Sequence, residues 1–212
     1  FFIYNYIMKY DSTTNIIVLG EQCAGKTLFI NNYLYNKTKT KHLAPTIGVD
    51  YYKKAINYQD NNYLLKIWDT GNGLLYKNIL EFYLRNSSIF IILSTEHNIN
   101  FIKQIIDIIY TDNQINPSNI LIIYNKKSNN DSFKFDESSV LNYCPSINNI
   151  YFHYINVMNN EEIQTIFNQL KFLIFTDFNK QSNTKSHKKL IPLNKSPRDK
   201  NKEYCNTCCT IC

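Results

Sequence analysis

An eight-residue segment, Gly-Glu-Gln-Cys-Ala-Gly-Lys-Thr at positions 20–27, constrains the fold of this 212-residue chain more than any other feature. It follows an apolar run at 15–19, which predicts a buried strand, and it precedes a predicted helix at 27–36. A glycine-rich turn between a strand and a helix points backbone N–H groups and the positive end of the helix at one place, which suits a phosphate. Lys26 would add a point charge, and the Thr27 hydroxyl would ligate Mg²⁺. The segment predicts a nucleoside triphosphate site.

Predicted strands and helices alternate along the rest of the chain. The strands fall at 48–58, 63–68, 88–93, 119–124 and 150–155, and the helices at 78–86, 99–109 and 161–175. Two of these strands, 88–93 and 119–124, are apolar and rich in β-branched residues, as is typical of strands buried on both faces. The pattern favours an α/β fold: a single P-loop NTPase domain, with a mostly parallel six-stranded sheet and helices on both faces. Ligands in such folds bind at the carboxyl ends of the strands.

Apolar periodicity stops after residue 177, and we place a domain boundary there. The predicted organisation is an N-terminal extension at 1–12, the folded domain at 13–177 and a disordered tail at 178–212. Residues 180–203 hold eight basic and two acidic side chains, so the tail accounts for the whole net charge of +6. Since the folded part has no basic excess, we expect no nucleic-acid partner. No apolar run is long enough to span a membrane.

Four further segments carry a family resemblance. They read Thr-Ile-Gly-Val-Asp-Tyr at 46–51, Leu-Lys-Ile-Trp-Asp-Thr at 65–70, Phe-Tyr-Leu-Arg-Asn-Ser at 82–87 and Asn-Lys at 125–126. They resemble, in order, switch I, the strand entering switch II, the segment that follows, and the start of the guanine motif of Ras-superfamily small GTPases. The Rab branch is the most similar, over about residues 15–175. The resemblance implies a GTP/GDP-binding switch that uses Mg²⁺.

The resemblance also implies roles for individual residues. Lys26 would contact the β- and γ-phosphates, and Thr46 would sense the γ-phosphate. The implied Mg²⁺ ligands are Thr27, Thr46 and Asp69. The implied nucleotide-binding residues are Gly20, Cys23, Ala24, Gly25, Lys26, Thr27, Thr46, Asn125, Lys126, Ser128 and Val157.

Three aromatic residues, Tyr51, Trp68 and Tyr83, occupy positions at which Rab proteins present an aromatic triad to effector proteins. Ordinary core packing is the alternative interpretation of these side chains. The resemblance therefore implies an effector surface without excluding a purely structural role.

The chain departs from the family in switch II. Rab proteins follow the Asp-Thr of this region with Ala-Gly-Gln-Glu, whereas residues 71–74 here are Gly-Asn-Gly-Leu. Gly73 stands at the position of the Gln that orients the attacking water. No catalytic residue can be assigned with certainty, and we expect GTP hydrolysis to be slow.

The chain also departs from the family around the base. Ser128 replaces the carboxylate that ends the family's Asn-Lys-x-Asp motif, and residues 156–158 read Asn-Val-Met in place of Ser-Ala-Lys. A hydroxyl cannot make the charged bidentate contact that a carboxylate makes with guanine. We therefore expect weak selection of guanine over adenine.

The C-terminal sequence Cys-Cys-Thr-Ile-Cys at 208–212 resembles the double-cysteine ending of Rab proteins. It predicts prenylation at Cys208 and Cys209, and residues 209–212 also fit the C-a-a-X pattern. Two lipid chains, or one chain beside basic residues, anchor a protein stably. The alternatives are an unmodified disordered tail and a metal-binding cysteine cluster, although adjacent cysteines without histidine suit zinc poorly.

These features favour a prenylated Rab-like GTPase in vesicle-mediated transport, on the cytoplasmic face of a Golgi or endosomal membrane with a cytosolic pool. The expected partners are guanine nucleotide, membrane lipids, and effector, exchange and prenylation-escort proteins. One alternative is a pseudo-GTPase, a membrane-tethered interaction module without turnover. Another is a small-metabolite kinase, which is disfavoured because such enzymes surround the transferred phosphate with arginines and the predicted domain has only Arg85.

Overall fold

The computed structural model describes residues 9–36, 44–71, 77–95, 99–126, 136–145, 147 and 149–187. Six strands are present in these ranges: β1 (Ser12–Gly20), β2 (Val49–Tyr58), β3 (Asn61–Thr70), β4 (Ile89–Ser94), β5 (Asn119–Asn125) and β6 (Ile150–Ile155). Five helices are present: α1 (Lys26–Tyr35), α2 (Lys77–Arg85), α3 (Ile99–Thr111), α4 (Glu137–Tyr143) and α5 (Asn160–His187). Within these ranges, no helix is both long enough and apolar enough to cross a membrane.

The six strands form one sheet in the order β2-β3-β1-β4-β5-β6. Strands β2 and β3 pair antiparallel, and the other four pairs of neighbours are parallel. The predicted mostly parallel six-stranded sheet is thus confirmed. The chain leaves β1 towards β3 on one side and returns to β4 on the other side. This reversal of direction opens a crevice beyond the carboxyl end of β1, where open α/β sheets bind their ligands.

Both faces of the sheet are covered, as predicted. Alternate residues of β1 point to opposite faces, so Ile16 joins one apolar cluster and Ile17 joins the other. Helices α1 and α5 cover the first face, and α2, α3 and α4 cover the second. All six residues of β4 are buried, which explains its uninterrupted apolar sequence.

Helix α5 is longer than the predicted 161–175, because it continues to His187 and so passes through the boundary predicted at 177. Two aromatic residues, one at the predicted end of the helix and one beyond it, pack against the strands. The ring centroid of Phe175 lies 5.6 Å from that of Tyr58, and that of Phe178 lies 5.8 Å from that of Tyr63. The helix therefore also packs on the hairpin of β2 and β3.

Helix α4 has no counterpart in the prediction. It is only seven residues long, and Asp136 caps its start by accepting a hydrogen bond from the Ser139 N–H at 3.2 Å. Val140 is buried in it, while Leu141 is exposed. Two turns hold too few apolar residues to show helical periodicity.

Candidate nucleotide-binding site

A cavity of about 290 Å³ opens beyond the carboxyl end of β1. Its wall comprises residues of the 20–27 segment together with Leu28, residues 44–46, and residues 70 and 71. The three groups come from different parts of the chain, and the sheet brings them to one edge. The cavity lies where both the fold and the sequence motif predict the ligand.

The loop before α1 needs glycine at position 25. Gly25 is the N-cap of α1 and has a φ of 91°, in the left-handed region that glycine adopts readily. A Cβ at this position would lie 3.0 Å from Asn125 Nδ2 and 3.1 Å from Val157 Cγ2. The absence of a side chain thus lets the phosphate loop touch the loops that follow β5 and β6.

The Lys26 side chain folds back across the phosphate loop. Its ammonium donates hydrogen bonds to the carbonyl oxygens of Gly20, at 3.0 Å, and Glu21, at 2.8 Å. Burial lowers the pKa of Lys26, and the nearby Asp69 carboxylate opposes that shift. An ammonium has three N–H groups, so one remains for an anionic ligand. Lys26 thus lines the cavity at which the sequence predicts a phosphate.

Three oxygen-bearing side chains meet beside Lys26. The Thr27 hydroxyl donates to Asp69 Oδ2 at 2.6 Å and lies 3.0 Å from the Thr46 hydroxyl, which is 3.5 Å from the same carboxylate oxygen. Asp69 is fully buried, and its Oδ1 has no hydrogen-bond partner among the described residues. One carboxylate and two hydroxyls are hard oxygen donors that suit Mg²⁺. The set, with its unsatisfied buried oxygen, fits the implied metal.

Burial raises the pKa of the Asp69 carboxyl to about 6, although the hydrogen bond from Thr27 and the charge of Lys26 oppose the shift. A buried carboxylate is costly unless a cation or hydrogen bonds compensate its charge. The raised pKa therefore indicates that the compensation within the chain is incomplete. A divalent cation bound at Oδ1 would complete it.

The segment that carries Thr46 touches the end of β3. The Gly71 N–H donates to the Gly48 carbonyl at 2.8 Å. A Cβ at Gly71 would lie only 2.4 Å from the Thr46 carbonyl oxygen, so the two segments approach too closely for any other residue. Movement of Thr46 would therefore be transmitted to Gly71, directly after β3.

Asn125 joins the phosphate loop, residues 20–27, to the loops that follow β5 and β6, which we call the base-side loops. Its Nδ2 donates to the Ala24 carbonyl at 3.0 Å, and its Oδ1 accepts from the Val157 N–H at 3.1 Å. The Lys126 N–H donates to the Ile155 carbonyl at 2.7 Å. Asn125, Lys126, Ala24 and Val157, all predicted nucleotide-binding residues, therefore belong to one connected group.

Two members of this group were missed by sequence reasoning. Asn32 in α1 is fully buried and donates from Nδ2 to the Val157 carbonyl. Glu162 in α5 accepts from the Asn156 N–H at 2.7 Å, and its Oε2 lies 3.8 Å from Lys126 Nζ. The buried Asn32 could have been suspected as a polar residue within an apolar helix. Glu162 carried no such signal, because acidic residues are ordinary in the first turn of a helix.

The predicted aromatic triad is assembled in the structure. The ring centroid of Trp68 lies 4.4 Å from that of Tyr51 and 4.8 Å from that of Tyr83. Tyr51 is 43% exposed, and the neighbouring Phe82 is 62% exposed. Trp68 and Tyr83 also pack against the apolar cluster on the second face of the sheet. The triad thus contributes to the core and presents an aromatic surface.

Several predicted residues lie outside the described ranges: Gly73, Ser128, Cys208 and Cys209. The slow hydrolysis and the prenylation predicted from them stay predictions. Arg85 is described, and it pairs with Asp112 at 2.7 Å rather than lining the cavity. It therefore offers no support for the kinase alternative.

A comparison with known families identifies one that covers more than half of the chain. The family model described as "Ras of Complex, Roc, domain of DAPkinase" matches residues 15–128. This range includes the phosphate loop, Thr46, Asp69 and the Asn125-Lys126 pair.

Proposed function

Because the chain belongs to the Roc, or Ras of Complex, family of Ras-like GTPase domains, we propose that it is a GTP/GDP-operated switch of the Rab type. The observation that carries the proposal is the meeting of Lys26 with the oxygens of Thr27, Thr46 and Asp69 beside one cavity. Bound Mg²⁺ neutralises charge on the β- and γ-phosphates in this class of site.

The contact between Thr46 and Gly71 supports a switching role. The Thr46 segment lies against Gly71, and both line the cavity. A triphosphate that binds Thr46 would hold both segments, whereas a diphosphate would leave one contact unmade. The ligand can shift the equilibrium between two conformations of these segments only through such a difference in contacts.

The nucleotide carried by the purified protein tests this proposal. The protein is purified from cells without added nucleotide and denatured, and the released nucleotide is identified by mass spectrometry. We expect about one GDP or GTP per chain, and none with Lys26→Ala, which removes the phosphate-binding charge. Lys53→Ala is the matched control, because Lys53 is exposed on β2. An empty wild-type protein would refute the proposal.

We propose that hydrolysis is slow because Gly73 stands at the Gln position. Single-turnover hydrolysis of bound GTP tests this with Gly73→Gln, which we expect to raise the rate at least several-fold. Asn72→Gln places the same side chain one position earlier and should leave the rate unchanged. An ordinary Rab-like rate in the wild-type protein would refute slow turnover.

The pseudo-GTPase alternative is favoured by the same Gly73 and by the intact aromatic triad. In that case partner binding would not depend on the nucleotide. Capture of partner proteins by the GTP- and GDP-loaded forms separates the two functions: a switch should bind an effector in one form only. Tyr51→Ala should weaken that capture, because Tyr51 is the exposed end of the triad.

We also propose that the tail anchors the protein to the cytoplasmic face of a Golgi or endosomal membrane, in vesicle-mediated transport, with a cytosolic pool. The support is Cys208 and Cys209 beside eight basic residues. Each basic residue near an anionic leaflet adds on the order of 1 kcal/mol. Replacing both cysteines by Ser should move the protein from the membrane pellet to the supernatant. Replacing Cys205 by Ser is the control, because Cys205 lies in the tail outside the double-cysteine ending. Unchanged pelleting of the Cys208 and Cys209 variant would refute the anchor.

A further inference from the structure

The sequence motif at the end of β5 lacks the carboxylate that its family counterpart leads one to expect. Asn125 and Lys126 are present, but the residue two positions later is Ser128. A carboxylate from another element lies beside Lys126, namely Glu162 in the first turn of α5. We propose that Glu162 supplies the carboxylate that recognises the guanine base. This inference rests on the nucleotide-binding function proposed above.

The Glu162 carboxylate joins the loops that follow β5 and β6. Its Oε2 accepts from the Asn156 N–H at 2.7 Å and lies 3.8 Å from Lys126 Nζ. Its Oε1 accepts from Asn159 Nδ2 at 3.1 Å. A carboxylate has about four acceptor sites, so these contacts leave room for more. The side chain is 29% exposed, and a ligand can therefore reach it.

A helix-capping role accounts for the contact of Glu162 with Asn159 but not for its contact with the Asn156 N–H. Asn159 precedes α5, and its Oδ1 accepts from the Glu161 N–H at 3.0 Å. In a capping box, the glutamate three residues after the cap accepts the backbone N–H of the cap residue. Here the Asn159 N–H donates instead to the Asn156 carbonyl, and Glu162 reaches further back to the Asn156 N–H. The carboxylate is therefore directed at the base-side loop.

Two backbone N–H groups of this loop already have acceptors. The Val157 N–H donates to Asn125 Oδ1 at 3.1 Å, and the Met158 N–H donates to Asn156 Oδ1 at 2.9 Å. A carbonyl on the base would find these two donors occupied. Guanine also presents two donors, its N1–H and its 2-amino group, and a carboxylate accepts both. Adenine presents an acceptor at N1, which a carboxylate repels. Glu162 is thus suited to select guanine.

Dissociation constants for GDP, ADP and XDP, each with Mg²⁺, test the inference on the full chain. XDP carries a carbonyl where GDP carries the 2-amino group. The variant is Glu162→Gln, which keeps the shape of the side chain and removes its charge. We expect it to weaken GDP binding about 10- to 100-fold, the range for a lost charge-assisted hydrogen bond. ADP and XDP binding should change by less than about threefold.

Glu161→Gln is the matched control, since Glu161 is the exposed neighbour in the same turn, and its affinities should equal those of the wild type. Because the readout is a ratio of affinities within one protein, a general loss of folding would not imitate it. If Glu162→Gln leaves the ratio of the GDP and ADP dissociation constants unchanged, the inference is overturned. An equal loss of affinity for all three nucleotides is one such result, and it would show that Glu162 only positions the loops. Wild-type protein that binds no nucleotide would overturn the proposed nucleotide-binding function as well. The two failures can therefore be told apart by whether the wild-type protein binds nucleotide.

Discussion

At the scale of single residues, Asp69 controls the electrostatics of the site. It is fully buried, Thr27 is its hydrogen-bond donor, and its Oδ1 is unpaired within the described residues. Burial raises the pKa of its carboxyl from 3.8 to about 6. The same raised pKa acts in opposite directions on the ligand-free fold and on the binding of Mg²⁺.

The ligand-free protein should lose stability as the pH rises from about 4 to about 6. An acid whose pKa is higher in the folded state binds more protons when folded, so its stabilising contribution is lost as the pH rises through that pKa. The change should reach up to roughly 3 kcal/mol. Urea denaturation in EDTA across this interval measures it, and Asp69→Asn should flatten the profile. Asp60→Asn is the control, because Asp60 is exposed in the turn between β2 and β3. Equal profiles for both variants would contradict the assignment.

Binding of Mg²⁺ with the nucleotide should instead weaken as the pH falls below about 6. The cation needs the ionised Asp69, and protonation of the carboxyl competes with it. Bound Mg²⁺ is expected to slow the release of GDP. The Mg²⁺ concentration at which this slowing is half complete should rise about tenfold for each pH unit below the pKa. A half-saturating concentration that does not depend on pH between 5 and 7 would exclude Asp69 as the ligand.

The close approach of Gly71 to the Thr46 carbonyl is a second feature at the scale of single residues. Gly71→Ala places a methyl group 2.4 Å from that oxygen, so one segment must move. We expect a loss of about 1 to 3 kcal/mol in stability, as for overpacking, and weaker discrimination between GTP and GDP. Gly48→Ala is the comparison, since its Cβ would have no neighbour within 4 Å and its cost would come only from a φ of 77°. If both variants discriminate the nucleotides normally, the contact does not couple the two segments.

At the scale of elements, the C-terminal part of α5 contributes to the fold beyond the periodic segment. Phe178 packs edge-on against Tyr63, which is almost fully buried in β3. Phe178→Ala should therefore lower the free energy of unfolding by about 1 to 3 kcal/mol, less than a fully buried Phe, which costs 3 to 5. Phe172→Ala on the same helix is the matched control, because Phe172 is 53% exposed. Urea denaturation measures both, and equal losses would contradict a packing role for Phe178.

The elements differ in how far the sequence specifies them. Buried strands such as β4 and β5 were located to within one residue, because an apolar run has a local cause. Helix α4 was missed because its cap, Asp136, and one buried residue, Val140, give no period. The end of α5 was placed too early because Phe178 finds its partner in β3, more than a hundred residues away in the chain. Such long-range pairing leaves no trace in local periodicity.

The same difference holds within the site. Lys26, Thr27 and Gly25 follow from a contiguous motif whose geometry is local. The hydrogen bond between Thr27 and Asp69 joins residues 42 positions apart, and only the family resemblance indicated it. Glu162 has neither a local motif nor a counterpart in the resemblance, so only the structure places it beside Lys126.

At the scale of the whole molecule, the ligand should hold together parts of the chain that come from separate elements. Among the described residues, contacts of Asn125, Thr27 and Gly71 join the phosphate loop, the Thr46 segment and the loops that follow β3, β5 and β6. A ligand that contacts all of them binds the folded state alone, and its binding energy adds to stability.

Removal of the ligand should therefore destabilise the entire fold. GDP with Mg²⁺ at 100 to 1,000 times its dissociation constant should add about 3 to 4 kcal/mol. For a domain of this size, each kcal/mol corresponds to roughly 2 to 4 °C in melting temperature. Thermal denaturation of protein stripped in EDTA, then reloaded with GDP or ADP, measures the effect. GDP should raise the melting temperature more than ADP does, because Glu162 favours guanine. In Glu162→Gln, the two increases in melting temperature should become similar. If GDP and Mg²⁺ leave the melting temperature of the wild-type protein unchanged, the cavity is not a nucleotide site.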